Sequence, residues 1–244
     1  MARPLFPNKS EDGEVWISVS DLMAGLMMVF LLIAILYTSN EKERYQNVTE
    51  IVQEWQETEV AIYEALEKEF SDDLQDWGAE LADFEEGKLT IRFLDPTVLF
   101  ETGKEDLSPR FQQVLSEFMP RYVLLLYKDF QSDIDEIRIE GHTSSVWKAA
   151  KSNNEAFILN MSLSQARTRS VLEYSLGIPS IYPLSPWMTK TMSANGLSSA
   201  KLKFENGVED RKRSRRVEFT IKTKSQEALA RIIQKISPPI KKQM

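Results

Sequence analysis

The chain has no cysteine and a single histidine, His142. The first absence excludes a disulfide framework, a thiolate metal site and a thiol nucleophile. The second excludes a multi-histidine zinc centre. Lack of cysteine fits an oxidising and a reducing compartment equally well. Nor is there an excess of positive charge: 30 Lys and Arg face 37 Asp and Glu, a net charge of −7. That balance argues against a general nucleic-acid binder, and no direct nucleic-acid contact is expected. No low-complexity tract and no serine–base arrangement stands out. We therefore expect a protein that is not an enzyme and that needs neither metal nor cofactor.

Long apolar runs are equally scarce. There is one, from Trp16 to Tyr37, reading WISVSDLMAGLMMVFLLIAILY. Its roughly 22 residues at about 1.5 Å each span roughly 33 Å, enough to cross a hydrocarbon core. No small-residue cleavage pattern follows, so we read an uncleaved signal anchor. Inside the run lies Asp21. A carboxylate at such depth costs about 2.5–3.5 kcal/mol on insertion scales and needs a partner, a proton or a water path. The bland alternative starts the span at Leu22 with Asp21 as a cap, which leaves only about 24 Å. Trp16 and Tyr37 read as the two interface anchors and place Asp21 inside.

Ser18, Asp21, Gly25, Met28 and Leu32 share one stripe of this helix, with Ala24 beside it. Small residues next to a carboxylate let a second helix approach and cover it, which implies association within the membrane. The flanking charges, Arg3 and Lys9 before the span and Lys42 and Arg44 after it, do not decide orientation.

The rest divides by its periodicity. Residues 1–14 read as a polar tail, 15–38 as the transmembrane helix and 39–87 as a helical linker. Residues 88–224 read as a folded domain, and 225–244 as a C-terminal helix and tail. Within the linker, Tyr45, Val48, Ile51, Val52, Trp55, Ile62, Ala65 and Leu66 recur at helical spacing. That stripe suits a second copy, the following domain or a solvated stalk. Residues 71–87 are strongly acidic and read as a solvated helix and turn. Leu89–Phe93, Ile134–Glu140 and Val217–Ile221 alternate as strands should. Leu107–Lys128 reads as one or two helices interrupted at Pro120, and Leu163–Leu176 as a helix capped by Ser162 or Ser164. A Pro-rich stretch follows, and Ser225–Ile236 reads as a last helix. Strands alternating with helices give an α/β (α+β) sandwich with βαβαβ order.

Three motifs stand in order in the domain: Gly141-His142-Thr143-Ser144, then Asn160 through Leu163 and Ser164 to Arg167, then Arg213-Ser214-Arg215-Arg216-Val217-Glu218. Phe100-Glu101-Thr102-Gly103 precedes them. This pattern resembles the OmpA-like peptidoglycan-binding domain over roughly residues 88–224. Joined to a membrane helix carrying an aspartate, it resembles MotB, the ion-channel subunit of flagellar stators. Ser20 to Phe30 is more similar still to the ZorB family of Zorya anti-phage defence systems.

The resemblance implies a homodimer inside a ring of multispanning ZorA/MotA-like subunits in the cell inner membrane. It implies a cytoplasmic N-terminus, a periplasmic C-terminal domain on peptidoglycan, and protons (less readily sodium) moving past Asp21. For the wall ligand it implies Arg167 on a carboxylate of diaminopimelate, with Asn160, Leu163, Thr143 and Arg215 around it. The family aspartate that takes the ligand's ammonium is here Ser144, and Glu155 is a substitute to consider. The basic run at 211–216 reads as the lead into a strand. A flagellar stator subunit and a static tether between membrane and wall remain the alternatives. His142 reads as structural rather than as a general base.

Overall fold

The computed structural model describes residues 11–82, 89–94, 99–101 and 103–224. The chain forms two compact units, Met1–Glu54 and Trp55–Met244. Helix α1 (Glu11–Trp77) begins in the first. There it carries Val19–Ser39, a 21-residue stretch with mean hydropathy 2.4 and none of it buried, long and apolar enough to cross a membrane. Asp21 lies in the first turn of that stretch and is exposed, and nothing lies within 4 Å of where a side chain on Gly25 would begin.

The second unit is built on one mixed sheet. Its strands are β1 (Ala79–Leu81), β2 (Leu89–Phe93), β3 (Ile134–His142), β4 (Met192–Gly196) and, last, β7 (Arg216–Thr223). The spatial order is β1-β2-β7-β3-β4, antiparallel throughout except for the parallel β3–β4 pair. Helix α2 (Pro109–Phe130) starts on Ser108, whose hydroxyl accepts the Phe111 amide, with Pro109 in the first turn where its missing N–H costs nothing. Helix α3 (Asn153–Leu176) makes the crossover between β3 and β4. A 3-10 turn (Pro179–Leu184) and α4 (Ser185–Thr191) lead into β4. A small hairpin, β5 (Phe204–Glu205) and β6 (Val208–Glu209), and the short α5 (Arg211–Ser214) precede β7. Asn206 and Gly207, at φ 50° and 78°, give the hairpin the left-handed pair that a two-residue turn requires.

Alternation separates the two faces of the sheet. Ile137, Ile139, Val217, Phe219, Ile221, Ile91 and Phe93 point into the core, where they meet Phe111, Phe118 and Tyr122 of α2. The same core takes Ile62, Leu66, Phe70 and Trp77 of α1. The helical stripe of the linker therefore packs, from Ile62 onward, on the following domain. Its Tyr45, Val48 and Ile51 side chains fall outside the described residues.

Four local expectations change. Residues 79–81 form a strand, not part of a solvated helix, because Glu80 pairs with Arg92 across the β1–β2 ladder. Helix α2 runs through Pro120 without a break, because Phe118, Met119, Tyr122 and Val123 on both sides are fully buried in one core. Helix α3 starts ten residues earlier than the apolar pattern indicates. Ser152 accepts the Glu155 amide while the Glu155 carboxylate takes the Lys151 amide, a near-complete capping box. The Pro-rich stretch ends in β4, whose five residues are all half-buried. The predicted helix at 225–236 lies outside the described residues.

Gly141 and Gly196 face each other in the β3–β4 register. A Cβ on Gly196 would stand 2.3 Å from the Gln165 backbone nitrogen, and one on Gly141 would stand 2.8 Å from the Ser164 carbonyl oxygen. Helix α3 can lie this close to the sheet only over glycine. Gly196→Ala must push helix from sheet, and we expect a loss of about 3 kcal/mol, read as a fall in thermal midpoint. A midpoint unchanged within a degree would show that the helix shifts freely.

Candidate functional site: a cationic pocket at the end of the sheet

The last turn of β3, the start of β7 and the middle of α3 converge where the glycine contact brings α3 down. Leu99, Phe100, Gly141, Ser164, Arg167 and Arg215 are among the groups lining the pocket there. None of its lining side chains is acidic. Arg167 projects from α3, its Nε donating to the Lys104 carbonyl at 2.9 Å and Nη2 to that of Glu101 at 3.3 Å. Its Cζ lies 4.6 Å over the Phe100 ring, a cation–π contact. Burial, and then the like charge of Arg215, bring the Arg167 pKa down to about 10, still protonated at neutral pH.

The other expected residues surround this pocket in different ways. Thr143 is buried, its amide donating to the Ser198 carbonyl, and its hydroxyl has no hydrogen-bond partner among the described residues. Ser198 takes up a left-handed φ of 52° and is held by Ser164 and by the Phe157 carbonyl. Asn160 is buried and donates to the Ser144 carbonyl at 3.2 Å, so it fixes the turn after β3. Ser144 is itself buried. Leu163 is half-buried one position before Ser164. Thr143, Ser144, Asn160 and Leu163 do not line the pocket, whereas Arg167 and Arg215 do. Glu155 is spent on the start of α3.

One carboxylate escaped the sequence reading. Glu209, on β6, accepts from the Ser145 amide at 2.9 Å and from the Ser145 hydroxyl. It thereby fixes a negative charge beside Ser144. The Asn206-Gly207 turn flanked by alternating residues was the available sign of the hairpin that carries it.

Behind the pocket, on the polar face of the sheet, lies a buried ion network. Glu218 accepts from Arg216 at 2.7 Å and Arg92 at 2.9 Å, and His142 Nε2 stands 3.3 Å away. Glu140 has His142 at 3.6 Å and Lys201 at 3.5 Å. Glu140, His142 and Glu218 present ligand atoms within 4.8 Å of one another. Both carboxylates are already neutralised by guanidinium or ammonium groups, so this cluster is an ion network rather than a metal cradle. His142 thus sits buried between the two carboxylates of this network.

Burial pushes the Glu218 carboxyl up, but His142 and Arg216 outweigh it and hold Glu218 below the ordinary carboxylate range. Glu140 is lowered too, chiefly by His142, with burial opposing. Folded values below unfolded ones mean the stabilisation is complete above about pH 5 and drains as pH falls. Glu218→Gln should cost about 3 kcal/mol at pH 7 and flatten the acid limb of the stability curve. An acid limb identical to that of the wild type would show the network to be idle.

No protein-family model matches the chain. A Zorya protein ZorB from Escherichia coli is 42% identical over 229 residues, covering 93% of this chain and 96% of that protein. The chain belongs to the ZorB family. Among solved structures, a putative MotB-like protein from Desulfovibrio vulgaris is 26% identical, with a TM-score of 0.47 over 71% of this chain and 97% of that one. The type VI secretion cell wall anchor of Pseudomonas aeruginosa is 20% identical, with a TM-score of 0.45 over 65% and 96%. The periplasmic domain of Helicobacter pylori MotB is 14% identical, with a TM-score of 0.42 over 62% and 88%. ZorB membership therefore rests on the sequence match along nearly the whole chain.

Proposed function

We propose that this ZorB-family chain is the wall-anchored stator subunit of a proton-driven membrane motor that acts in anti-phage defence. Asp21 carries the proton, in a homodimer surrounded by a ring of ZorA/MotA-like subunits. The N-terminus is cytoplasmic and the second unit lies in the periplasm on peptidoglycan. The observation that carries this reading is a carboxylate on an uncovered apolar helix of spanning length, in a chain belonging to the ZorB family. Such a residue is costly unless it is used.

For the wall ligand, Arg167 and Arg215 offer cationic donors to a carboxylate of a diaminopimelate side chain. Glu209 takes the role of the missing family aspartate, towards the ligand's ammonium. The test is co-sedimentation of the full chain, in detergent, with purified sacculi. Wild type should pellet, and Glu209→Gln should raise the half-saturation point about tenfold. Wild type left in the supernatant would refute wall anchoring, and unchanged binding by the Glu209 variant would remove that residue from the site.

A further inference from the structure

Strand β4 ends the sheet, and the order β1-β2-β7-β3-β4 puts no strand beside its outer side. A bare edge is a row of N–H and C=O groups that will pair with an extended chain. In a parallel ladder each residue turns both backbone groups to one side, and the next residue turns them to the other. Leu197 N–H donates inward to the Gly141 carbonyl at 2.8 Å. Ser193 and Asn195 therefore bond towards β3, while Ala194 and Gly196 point outward.

Gln165, exposed on α3, reaches round to these two outward residues. Its Nε2 donates to the Ala194 carbonyl at 3.2 Å, and its Oε1 accepts the Gly196 N–H at 2.7 Å. A carboxamide carries a donor and an acceptor side by side, as a peptide group does. Gln165 thus makes the two bonds that one residue of a sixth strand would make. It reaches because α3 lies hard against the edge, where a Cβ on Gly196 would stand 2.3 Å from the Gln165 backbone nitrogen. At the start of the same edge, the Met192 N–H is taken by the Met188 carbonyl of α4.

The groups that Gln165 holds are also those a second copy would use. Two β4 strands set antiparallel about Asn195 would bond the Gly196 N–H of each to the Ala194 carbonyl of the other. A pair of chains joined in the membrane keeps its two sheet domains at a high effective concentration, so this encounter recurs. We propose that Gln165 guards the β4 edge, its carboxamide standing in for a sixth strand and barring edge-to-edge pairing with the second copy. This rests on the homodimer reading above.

The chain has no cysteine, so one introduced at the edge reports alone. Asn195 would lie at the centre of the pair, where opposed Cα atoms stand about 4.5 Å apart, within disulfide reach. The test oxidises the full-length Asn195→Cys chain in detergent and reads the cross-linked fraction on a non-reducing gel. Light scattering on the same sample gives its oligomeric state. With Gln165 present, fewer than about one chain in ten should cross-link, and adding Gln165→Ala should raise the yield at least about fivefold. Gln165→Asn, one methylene too short to reach, should act like the alanine variant. Lys128→Cys, exposed at the end of α2, is the control and should cross-link equally with and without Gln165→Ala. Ready cross-linking through Asn195→Cys beside an intact Gln165 overturns the guard. So does a yield that ignores both Gln165 variants, or a rise matched by the Lys128 control. A dimer that gives any of these results loses the guard and keeps the homodimer. A monomeric wild type refutes the homodimer reading and this inference together.

Discussion

Asp21→Asn is expected to abolish anti-phage protection completely while the chain still inserts and assembles. Asparagine keeps the shape and most of the hydrogen-bonding capacity of the aspartate, but it cannot take up and release a proton. It also removes a charge from an apolar helix, so insertion should become easier rather than harder. The measurement is plaquing efficiency on cells carrying the whole native operon, with expression checked by immunoblot. Wild type should protect, and the variant should plaque like cells without the operon. Equal protection by both would end the ion-carrying reading and favour a static tether. A variant whose membrane complex falls apart on size exclusion would instead assign Asp21 to helix pairing.

The second large effect concerns Phe70. Its ring stands 5.2 Å from Phe118, 6.0 Å from Trp77 and 6.5 Å from Tyr122. The Arg121 guanidinium lies over it at 5.0 Å and also binds Glu69 and Asp73 of α1. Phe70→Ala empties the centre of the aromatic cluster, which costs about 3–5 kcal/mol for a buried ring. It also removes the platform under Arg121, worth about 1 kcal/mol for a partly exposed cation. At about 2–4 °C per kcal/mol for a domain of this size, the midpoint should fall by about 10 °C or more. Leu124→Ala, on the half-exposed side of α2, is the control and should move it by less than about 3 °C. Similar shifts in the two variants would mean that the end of α1 is only loosely attached to the core.

The central strands were readable from their alternation: Leu89–Phe93 and Val217–Ile221 alternate strictly, and Ile134–Glu140 does so from Glu136 onward, after a register shift between Ile134 and Glu136. What escaped has physical reasons. Strand β1 holds only three residues in an acidic context, and its pairing partner Arg92 lies on the next strand, outside the short window in which alternation is read. Strand β4 is small and polar because Gly196 must admit α3 and because Ser193 and Asn195 face away from the core. The first turns of α3 have little apolar periodicity, yet Ser152 and Glu155 spell a capping box that was available to reading. At the site, the motif placed Arg167 and Arg215 at one pocket. It could not reveal that carbonyl oxygens occupy one edge of Arg167, or that Glu209 arrives from a separate hairpin.

The middle position of the sheet belongs to its final strand. Thr90 on β2 meets Thr220 on β7 across 130 residues of chain, and β3 leans on the other side of the same strand. In a chain delivered N-terminus first, neither half of the sheet can close until residues near 220 have emerged. Such non-local closure is slow, since the entropy of the long loop is lost before the ladder forms. The late arrival of its keystone delays completion of the sheet to the end of synthesis. It also leaves Leu89–Phe93 unpaired on one side until then, so a truncation before Arg216 should yield aggregates rather than a smaller folded domain.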